Sequence, residues 1–381
     1  MAYFDNASTT YPKPKEMYDF MDQFYRESGA NVGRGKYEQA KTASGLIQDT
    51  RARIKKLLHC PTKDVIFTPT ATIALNMILQ GIIKENGSHV YISPFEHNAV
   101  TRTLQHYVNC EKIELHILNV DDNLKYNLQE IKYQFDLVKP DLVVMSHASN
   151  AFGIVSPIED IMTLAKRYDA TTVVDMAQTA GLIDCNIGLD AFDFAVFAGH
   201  KTLYGPTGIS GFVMKKGVPL EPVLFGGTGY DSANQNMPDS IPEKYEMGTL
   251  NISGIAGLNA ALRWHENITI EAIRAKEQEN RKRLLDLLSD YDFIQVIGNK
   301  PNIEYAGIVS CLIKGISSDS AGTIFDKQGI AVRTGLQCAP LAHKFFGTFP
   351  AGTIRFSVSY FTSDEDFEQL ENALDYIDDN L

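Results

Sequence analysis

The chain has 381 residues, 44% of them hydrophobic and 22% charged, which is typical of a globular enzyme with a large core and two lobes. Its formal net charge of −12 argues against a nucleic-acid-binding protein, because such proteins need clustered lysine and arginine. No apolar run reaches the ~20 residues that span a bilayer, and no signal-peptide pattern opens the chain, so we expect a cytoplasmic protein with no membrane partner.

The chain from about residue 40 to residue 215 alternates between helix and strand patterns. Residues 42–58 place their apolar side chains on one helical face. Short apolar strands separated by helices are typical of an α/β fold with a mostly parallel, doubly wound sheet. The predicted strands are 65–67, 89–92, 142–145, 172–174, 194–197 and 209–214, and the further predicted helices are 71–83, 98–107 and 157–168, the last with a proline in its first turn.

After residue 215 the pattern changes. Residues 217–248 are rich in Gly, Pro and Asn and predict a long irregular stretch, and 252–290 predict a long helical region. We therefore predict a large cofactor-binding domain at 13–255 and a small α+β domain formed by 1–12 and 256–381. The small domain is predicted to hold strands 293–297, 307–313 and 353–358, helix 319–328, and a helix that begins at Asp364 after the capping residue Ser363.

Polar residues follow successive strands of the predicted large sheet. Ligands of such sheets bind outside the carboxyl ends of the strands, so these residues predict one common site. They are Thr70-Ala71-Thr72, Glu96-His97, Ser149-Asn150, Asp175-Met176-Ala177-Gln178 and His200-Lys201.

Lys201 and Asp175 indicate which ligand this site takes. A single lysine after a strand is most simply a solvated surface lysine, but a desolvated lysine beside a carbonyl forms an imine. Asp175 ends another apolar strand and supplies a carboxylate for a pyridinium nitrogen. Together the two residues predict pyridoxal 5′-phosphate (PLP) as the cofactor.

Each of the other candidates also has a plain structural interpretation. Thr70-Ala71-Thr72 suits an anion at a helix N-terminus, or simple N-capping by threonine. His97 suits a ring stacked on the pyridine, or a hydrogen-bonded histidine at a helix start. Gln178 and Asn150 suit contacts to the phenolic oxygen of the cofactor, or ordinary polar residues of a helix start and a turn.

Cys338 and Arg355 are the candidates in the small domain. Five scattered cysteines without a metal-ligand pattern indicate a reduced protein, and we expect no metal site. Cys338 lies in a Gly-containing loop with a nearby arginine, a setting that exposes a thiol; an inert, half-buried cysteine is the alternative. Arg355, inside an apolar strand, suits a substrate carboxylate or an internal salt bridge.

These residues resemble the cysteine desulfurase and selenocysteine lyase branch of the class-V aminotransferases, which are fold type I PLP enzymes. The similarity runs nearly end to end, from Tyr3 to about Asp366. Its motifs are Glu96-His97, Ser149-Asn150, Asp175-Met176-Ala177-Gln178, Gly199-His200-Lys201, Met247-Gly248-Thr249, Arg333-Thr334-Gly335-Leu336-Gln337-Cys338-Ala339 and Ile354-Arg355-Phe356-Ser357.

The resemblance implies a role for each matched residue. Lys201 would form the cofactor imine and move protons, with Asp175 on the pyridinium nitrogen and His97 on the ring. Cys338 would attack the substrate sulfur and become a persulfide, so that L-cysteine becomes L-alanine, and Arg355 would bind the substrate carboxylate. The remaining implied contacts are Gln178 and Asn150 to the phenolic oxygen, Ala71, Thr72 and His200 to the phosphate, and Thr249 to the phosphate across a homodimer interface.

The chain departs from the family pattern at three positions. Ala198 replaces a serine that commonly contributes a phosphate contact, Thr202 is inserted after the lysine, and Gln337 stands where a histidine often precedes the nucleophile. Selenocysteine lyase or C–S β-lyase chemistry at the same site is the alternative activity, and a scaffold without catalysis is the alternative class. A sulfur-acceptor protein is a further implied partner.

Overall fold

The computed structural model describes residues 1–30, 35, 37–83, 87–229 and 233–380. Its larger sheet has seven strands in the order β2-β8-β7-β6-β5-β3-β4. The run from β7 to β4 is parallel throughout, and β8 is antiparallel to both β7 and β2. The strands are β1 (Ala2–Tyr3), β2 (Asp64–Thr68), β3 (Ser88–Ile92), β4 (Ile113–Ile117), β5 (Leu142–Ser146), β6 (Thr171–Asp175), β7 (Phe194–Ala198), β8 (Ser210–Met214), β9 (Ile294–Ile297), β10 (Ile308–Ile313), β11 (Ile330–Ala331), β12 (Arg333–Gly335) and β13 (Thr353–Ser357).

Helices cover both faces of this sheet. As a result, alternate residues of its buried strands belong to two different hydrophobic cores. Val143 and Met145 of β5 pack with Ile47 and Ile161 on one face, whereas Val144 packs with residues of the opposite core. The prediction of a mostly parallel, helix-flanked sheet is therefore confirmed. The helices are α1 (Lys15–Ser28), α2 (Glu38–Leu57), α3 (Ala71–Ile82), α4 (Asn98–Asn109), α5 (Leu128–Leu137), α6 (Ile158–Lys166), α7 (Ile252–Ile268), α8 (Ile270–Ser289), α9 (Ser318–Lys327), α10 (Pro340–Phe345) and α11 (Asp364–Asp378).

A second, antiparallel sheet has the order β12-β13-β10-β9 and packs with α8, α9 and α11. The N-terminus joins this part of the chain, since β1 pairs with β11 and the Phe4 ring packs edge-on against Phe356 at 6.2 Å. A capping box of Ser363 and Asp366 starts α11, as the sequence predicted. The predicted domain boundaries at residues 13 and 256 stay a prediction.

Several elements differ from the sequence-based expectation. The helical region 252–290 holds two helices, because Thr269 adopts a left-handed φ of 78° and caps α8 through its hydroxyl. Pro157 is the N-cap of α6 rather than a residue of its first turn. The amphipathic helix α1, the strand β4, and the helices α5 and α10 were not predicted. The described part of 217–248 contains neither helix nor strand, as expected.

Within the described ranges, no helix is both long and apolar enough to cross a membrane.

Candidate active site

The polar residues at the strand ends do meet. All of the predicted residues except Glu96, Ser149 and Met176 line a cavity of about 220 Å³ at the carboxyl ends of the strands, called here the inner cavity. Ala177, Leu75 and Ala148 add an apolar wall. The predicted site residues that line it are Ala71, Thr72, His97, Asn150, Asp175, Gln178, His200 and Lys201.

Lys201 projects from a tight turn after β7. The turn closes through a hydrogen bond from Tyr204 N to Lys201 O at 2.8 Å. Position 199 needs glycine, because the Cβ of any other residue would lie 2.4 Å from Ile209 O. In the described part of the chain, Lys201 Nζ has no hydrogen-bond or ion-pair partner. Burial lowers the pKa of Lys201 to about 8, although the nearby charge of Asp175 acts in the opposite direction. Part of the Lys201 population is therefore an uncharged amine near neutral pH.

Asp175 is the last residue of β6 and is 7% exposed. Its Oδ1 accepts a hydrogen bond from Ala177 N at 2.9 Å, and burial raises its pKa. Gln178 follows on the same turn, and its Nε2 donates to Ala7 O at 2.9 Å. The N-terminal segment thus holds the Gln178 side chain against the inner cavity.

His97 caps a helix, as one of its two interpretations predicted, and it also lines the inner cavity. Its Nδ1 accepts a hydrogen bond from Ala99 N at 3.0 Å and so caps α4, while the ring also lines the inner cavity. Burial first, and the charges of Lys201, Arg355 and Arg102 next, lower the pKa of His97 to about 4. The ring is therefore neutral at physiological pH and suited to face another aromatic ring.

The start of α3 forms one end of the inner cavity. Thr70 caps the helix by accepting from Ile73 N at 3.2 Å, whereas the N–H groups of Ala71 and Thr72 have no partner among the described residues. His200 Nδ1 is likewise buried without a partner in that part of the chain. Unpaired donors at a helix N-terminus favour an anion, so this end fits a phosphate.

Cys338 lies at the mouth of a neighbouring space of about 520 Å³, called here the outer cleft. The outer cleft and the inner cavity share Thr72, His97 and Ala99 as walls. The thiol is exposed, and the backbone of the Cys338 loop is fixed to the start of α4 by a hydrogen bond from Asn98 N to Cys338 O at 2.7 Å. A second bond runs from Asn150 Nδ2 to Gln337 O at 2.5 Å.

Gln337 turns its side chain into the protein core. Its Nε2 donates to Thr353 O at 2.9 Å, and its Oε1 faces His343 Nε2 at 2.8 Å. His343 Nδ1 in turn lies 2.8 Å from Thr348 Oγ1. The residue that replaces the family histidine is therefore a buried anchor of the Cys338 loop.

Arg355 is buried and forms the internal salt bridge that was its alternative interpretation. Its Nη2 contacts Asp5 Oδ1 at 2.6 Å and Ser8 Oγ at 2.8 Å, and its Nη1 donates to Asn150 O at 2.8 Å. Nε is buried and lacks a partner within the described ranges. Arg355 does not line the described inner cavity, although its charge lowers the pKa of both His97 and Lys201.

Thr249 is not brought to the inner cavity. It is exposed and lines other pockets, one with Arg51 and Gly227 and one with Phe67 and Met247. Its implied phosphate contact therefore requires a second copy of the chain.

The two other departures from the family have simple structural outcomes. Ala198 lines the inner cavity, so only a methyl group is present where the family commonly has a hydroxyl. The inserted Thr202 is buried, and its hydroxyl donates to Ala180 O at 2.8 Å. Thr202 thus stabilises the turn after Lys201 and does not replace the missing hydroxyl.

Sequence reasoning assigned no role to Asp5, Asn98 or His343. Asp5 lies in the matched N-terminal segment, which begins at Tyr3, and that match was the available signal for it. Asn98 directly follows His97, but it contributes a backbone N–H, which any residue type has. Nothing in the sequence pairs His343 with Gln337.

Comparison with known proteins agrees with this geometry. The class-V aminotransferase family matches residues 2–370. A probable cysteine desulfurase of Xylella fastidiosa (strain Temecula1) is 31% identical over 386 residues, covering 98% of this chain and 90% of that protein. One of Halalkalibacterium halodurans is 30% identical, covering 98% and 92%.

The fold agrees with a solved structure as well. The apo structure of a cysteine desulfurase from Thermococcus onnurineus superposes with a TM-score of 0.90 at 28% identity, covering 100% of this chain and 95% of that one. Together with the family match, these similarities show that the chain belongs to the class-V aminotransferase family and, within it, to the cysteine desulfurase group.

Proposed function

We propose that this protein is a PLP-dependent cysteine desulfurase that converts L-cysteine to L-alanine and takes the sulfur onto Cys338. One observation carries the proposal. A half-buried lysine whose amine has no partner in the described part of the chain lines one cavity with a buried carboxylate, and the exposed Cys338 thiol lies in a cleft that shares three wall residues with that cavity. The names of the relatives support the same activity.

The residues of the inner cavity fit PLP. Asp175 would hold the ring nitrogen, His97 would cover the ring, and Gln178 with Asn150 would hold the phenolic oxygen. Ala71 and Thr72 would bind the phosphate with unpaired N–H groups, and His200 with its buried, unpaired Nδ1. PLP bound there supplies an electron-withdrawing ring that stabilises negative charge on the substrate Cα.

Lys201 and Cys338 then carry out different steps of the reaction. Lys201 takes the proton from the substrate Cα, which its lowered pKa favours because a free amine is available. Cys338 Sγ bonds to the substrate sulfur as the carbon–sulfur bond breaks. The net change is transfer of one sulfur atom, which leaves L-alanine and a Cys338 persulfide and needs no external oxidant or reductant.

Arg355 would bind the substrate carboxylate through N–H groups that its protein partners leave free. Asp5, Ser8 and Asn150 O occupy three of its five N–H donors. Arg355 Nε–H, which is buried, and one N–H of Nη1 have no partner within the described part of the chain. Asp5 would fix the plane of the guanidinium for this contact.

We further propose a homodimer in which Thr249 of one chain reaches the phosphate in the other, because Thr249 is exposed and lies outside its own inner cavity. All five cysteines are free, which supports a reducing, cytoplasmic location. The persulfide on the exposed Cys338 would be passed to an acceptor protein.

Product analysis tests the activity. The holoenzyme should form alanine from L-cysteine, and Cys338→Ala should abolish this while it still binds PLP. Cys110→Ala, which removes another exposed thiol, is the matched control and should keep full activity. Undiminished alanine from Cys338→Ala would refute the nucleophile assignment.

The same assay separates the alternatives. Pyruvate instead of alanine indicates β-elimination, and Cys338-independent alanine from L-selenocysteine alone indicates a lyase. A yellow protein that borohydride bleaches would exclude a scaffold without catalysis.

A further inference from the structure

A cluster of two histidines and a glutamate lies on the edge of the large sheet, apart from the active site. His89 is on β3, and Glu114 and His116 are on β4, its parallel neighbour and the edge strand. His89 lies opposite Glu114, and Tyr91 lies opposite His116. None of the three residues lines the inner cavity or the outer cleft, so the cluster is separate from both.

The three side chains converge on one point. His89 Nδ1 lies 3.3 Å from His116 Nε2, and the Glu114 carboxylate oxygens lie 3.6 Å from the His89 nitrogen and 3.7 Å from the His116 nitrogen. Metal–ligand bonds of about 2.0–2.2 Å in a tetrahedron place ligand atoms roughly 3.3–3.5 Å apart. The distance between the two nitrogens is therefore the one expected around a single ion, and the two carboxylate contacts, which different oxygens make, are slightly longer.

The two histidines are already held in place. The His116 ring stacks on Tyr91 with ring centres 4.6 Å apart and an angle of 21°. The His89 backbone N–H donates to Asp141 Oδ2 at 2.8 Å. A single hydrogen bond between the two histidine rings accounts for their approach. It does not account for the Glu114 carboxylate, which faces both nitrogens beyond hydrogen-bonding distance.

We propose that His89, His116 and Glu114 bind one Zn²⁺ ion at the edge of the large sheet, with water in the fourth position. Two imidazoles and one carboxylate are a ligand set that suits zinc. The Glu114 side chain is 66% exposed, so it can rotate to close the remaining distance, and water reaches the ion. Because the ligands come from both strands, bound zinc clamps β4 to β3.

Zinc titration of the holoenzyme tests this site. The variants are His116→Gln, His89→Gln and Glu114→Gln, and the control is His59→Gln, which removes an exposed histidine that pairs with the carboxylate of Asp184. Bound Zn²⁺ is counted by equilibrium dialysis with elemental analysis, and Tm is followed with added zinc. All proteins keep the same five thiols, so differences between them report on this cluster.

We expect the wild type and His59→Gln to bind one more Zn²⁺ per chain than His116→Gln or His89→Gln. Their Tm should rise with zinc, because a ligand that binds only the native state stabilises it. Alanine formation measured without added zinc should be equal in all five proteins. Equal zinc stoichiometry and equal Tm shifts in all of them, or no zinc binding by the wild type, would overturn the proposal.

Glu114→Gln keeps the test decisive if a histidine variant does not fold, because its side chain is exposed. Loss of an outer partner already costs about 10- to 100-fold in metal affinity, so loss of this ligand should weaken zinc binding at least about tenfold. An unchanged affinity in Glu114→Gln would contradict the site.

Discussion

The Nε2 of His343 lies 2.8 Å from the Oε1 of Gln337, and both side chains are buried. Cys338, which directly follows Gln337, is exposed. Since Gln337 Nε2 donates to Thr353 O, its oxygen must face His343. His343 therefore carries its proton on Nε2, and Nδ1 accepts from the Thr348 hydroxyl. Burial lowers the pKa of His343 to about 4, which keeps the ring neutral. This pair is the inner support of the Cys338 loop.

We expect Gln337→Ala to destabilise the protein by about 2 kcal/mol, because it leaves the His343 N–H and the Thr353 carbonyl buried without partners. It should also slow alanine formation by loosening the Cys338 loop. Gln105→Ala, which removes an exposed Gln105–Asn109 bond, should change the unfolding free energy by less than about 0.5 kcal/mol. Urea unfolding measures both variants, and equal values would contradict the support role.

Lys201 should titrate near pH 8 in the protein without PLP. A lysine-selective reagent should therefore modify it with a midpoint at about pH 8, as measured by mass spectrometry, with the peptide of the exposed Lys56 as internal reference. Because the charge of Asp175 raises the pKa of Lys201, Asp175→Asn should move this midpoint to lower pH. A midpoint that Asp175→Asn leaves unchanged would show that the two groups do not interact.

Asp5 should matter more to stability than an exposed carboxylate in a similar pair. Asp5→Ala leaves the buried charge of Arg355 without its partner, and we expect a loss of about 2–4 kcal/mol in unfolding free energy. Asp19→Ala breaks the exposed Lys15–Asp19 pair and should change the unfolding free energy little, because water and salt screen exposed charges. Denaturant unfolding compares the two, and similar losses would argue against the importance of the buried pair.

Glu96 should make stability fall as the pH rises. Its buried carboxyl bonds to Ser93 and Ser146, and burial raises its pKa from 4.5 to about 7. The folded state binds the proton more tightly than the unfolded state, so this stabilisation is complete below about pH 4.5 and is lost as the pH rises to about 7.

As the pH rises across this range, the unfolding free energy of Glu96→Gln should therefore fall by up to about 3 kcal/mol less than that of the wild type. Part of the wild-type dependence should persist, because burial also raises the pKa of Glu277 to about 7. Unfolding free energies at several pH values, with the exposed Glu130→Gln as control, provide the measurement. Parallel curves for the wild type and Glu96→Gln would exclude this role.

Hybrid dimers should show which chain supplies Thr249. In a hybrid of a Lys201→Ala chain and a Thr249→Ala chain, a contact across the interface leaves one site intact and one doubly defective. Half of the sites should then bind PLP with wild-type affinity, measured by absorbance titration of dimers purified through two different tags. If no site reaches wild-type affinity, Thr249 acts within its own chain.

The sequence predicted the central elements well because their burial is continuous. Residues 142–145 form the apolar core of β5, and all five residues of that strand are buried. The edge strand β4 was missed, since Ile-Glu-Leu-His-Ile mixes buried and exposed positions and its charged residues hide the pattern. Their positions after strands predicted that Asp175 and Lys201 would lie close together, and both line the inner cavity.

Contacts that depend on tertiary structure could not be predicted. The approach of His343 to Gln337 requires left-handed backbone at both Gln337 (φ 40°) and Cys338 (φ 57°), which is uncommon for residues other than glycine. The engagement of Arg355 by Asp5 joins residues 350 positions apart. The exact partner of Arg355 therefore stayed open between a substrate and a salt bridge.

The N-terminal segment has a consequence for how the chain matures. Its partners Ile330 and Arg355 follow the seven-stranded sheet along the chain, whereas Ala2 and Asp5 precede it. A nascent chain that stops before Arg355 can hold every strand of the seven-stranded sheet, but it cannot form the Asp5 salt bridge. Ala2 and Asp5 therefore lack these partners until Arg355 has been synthesised, and the Arg355–Asp5 pair can form only after every strand of the seven-stranded sheet is available.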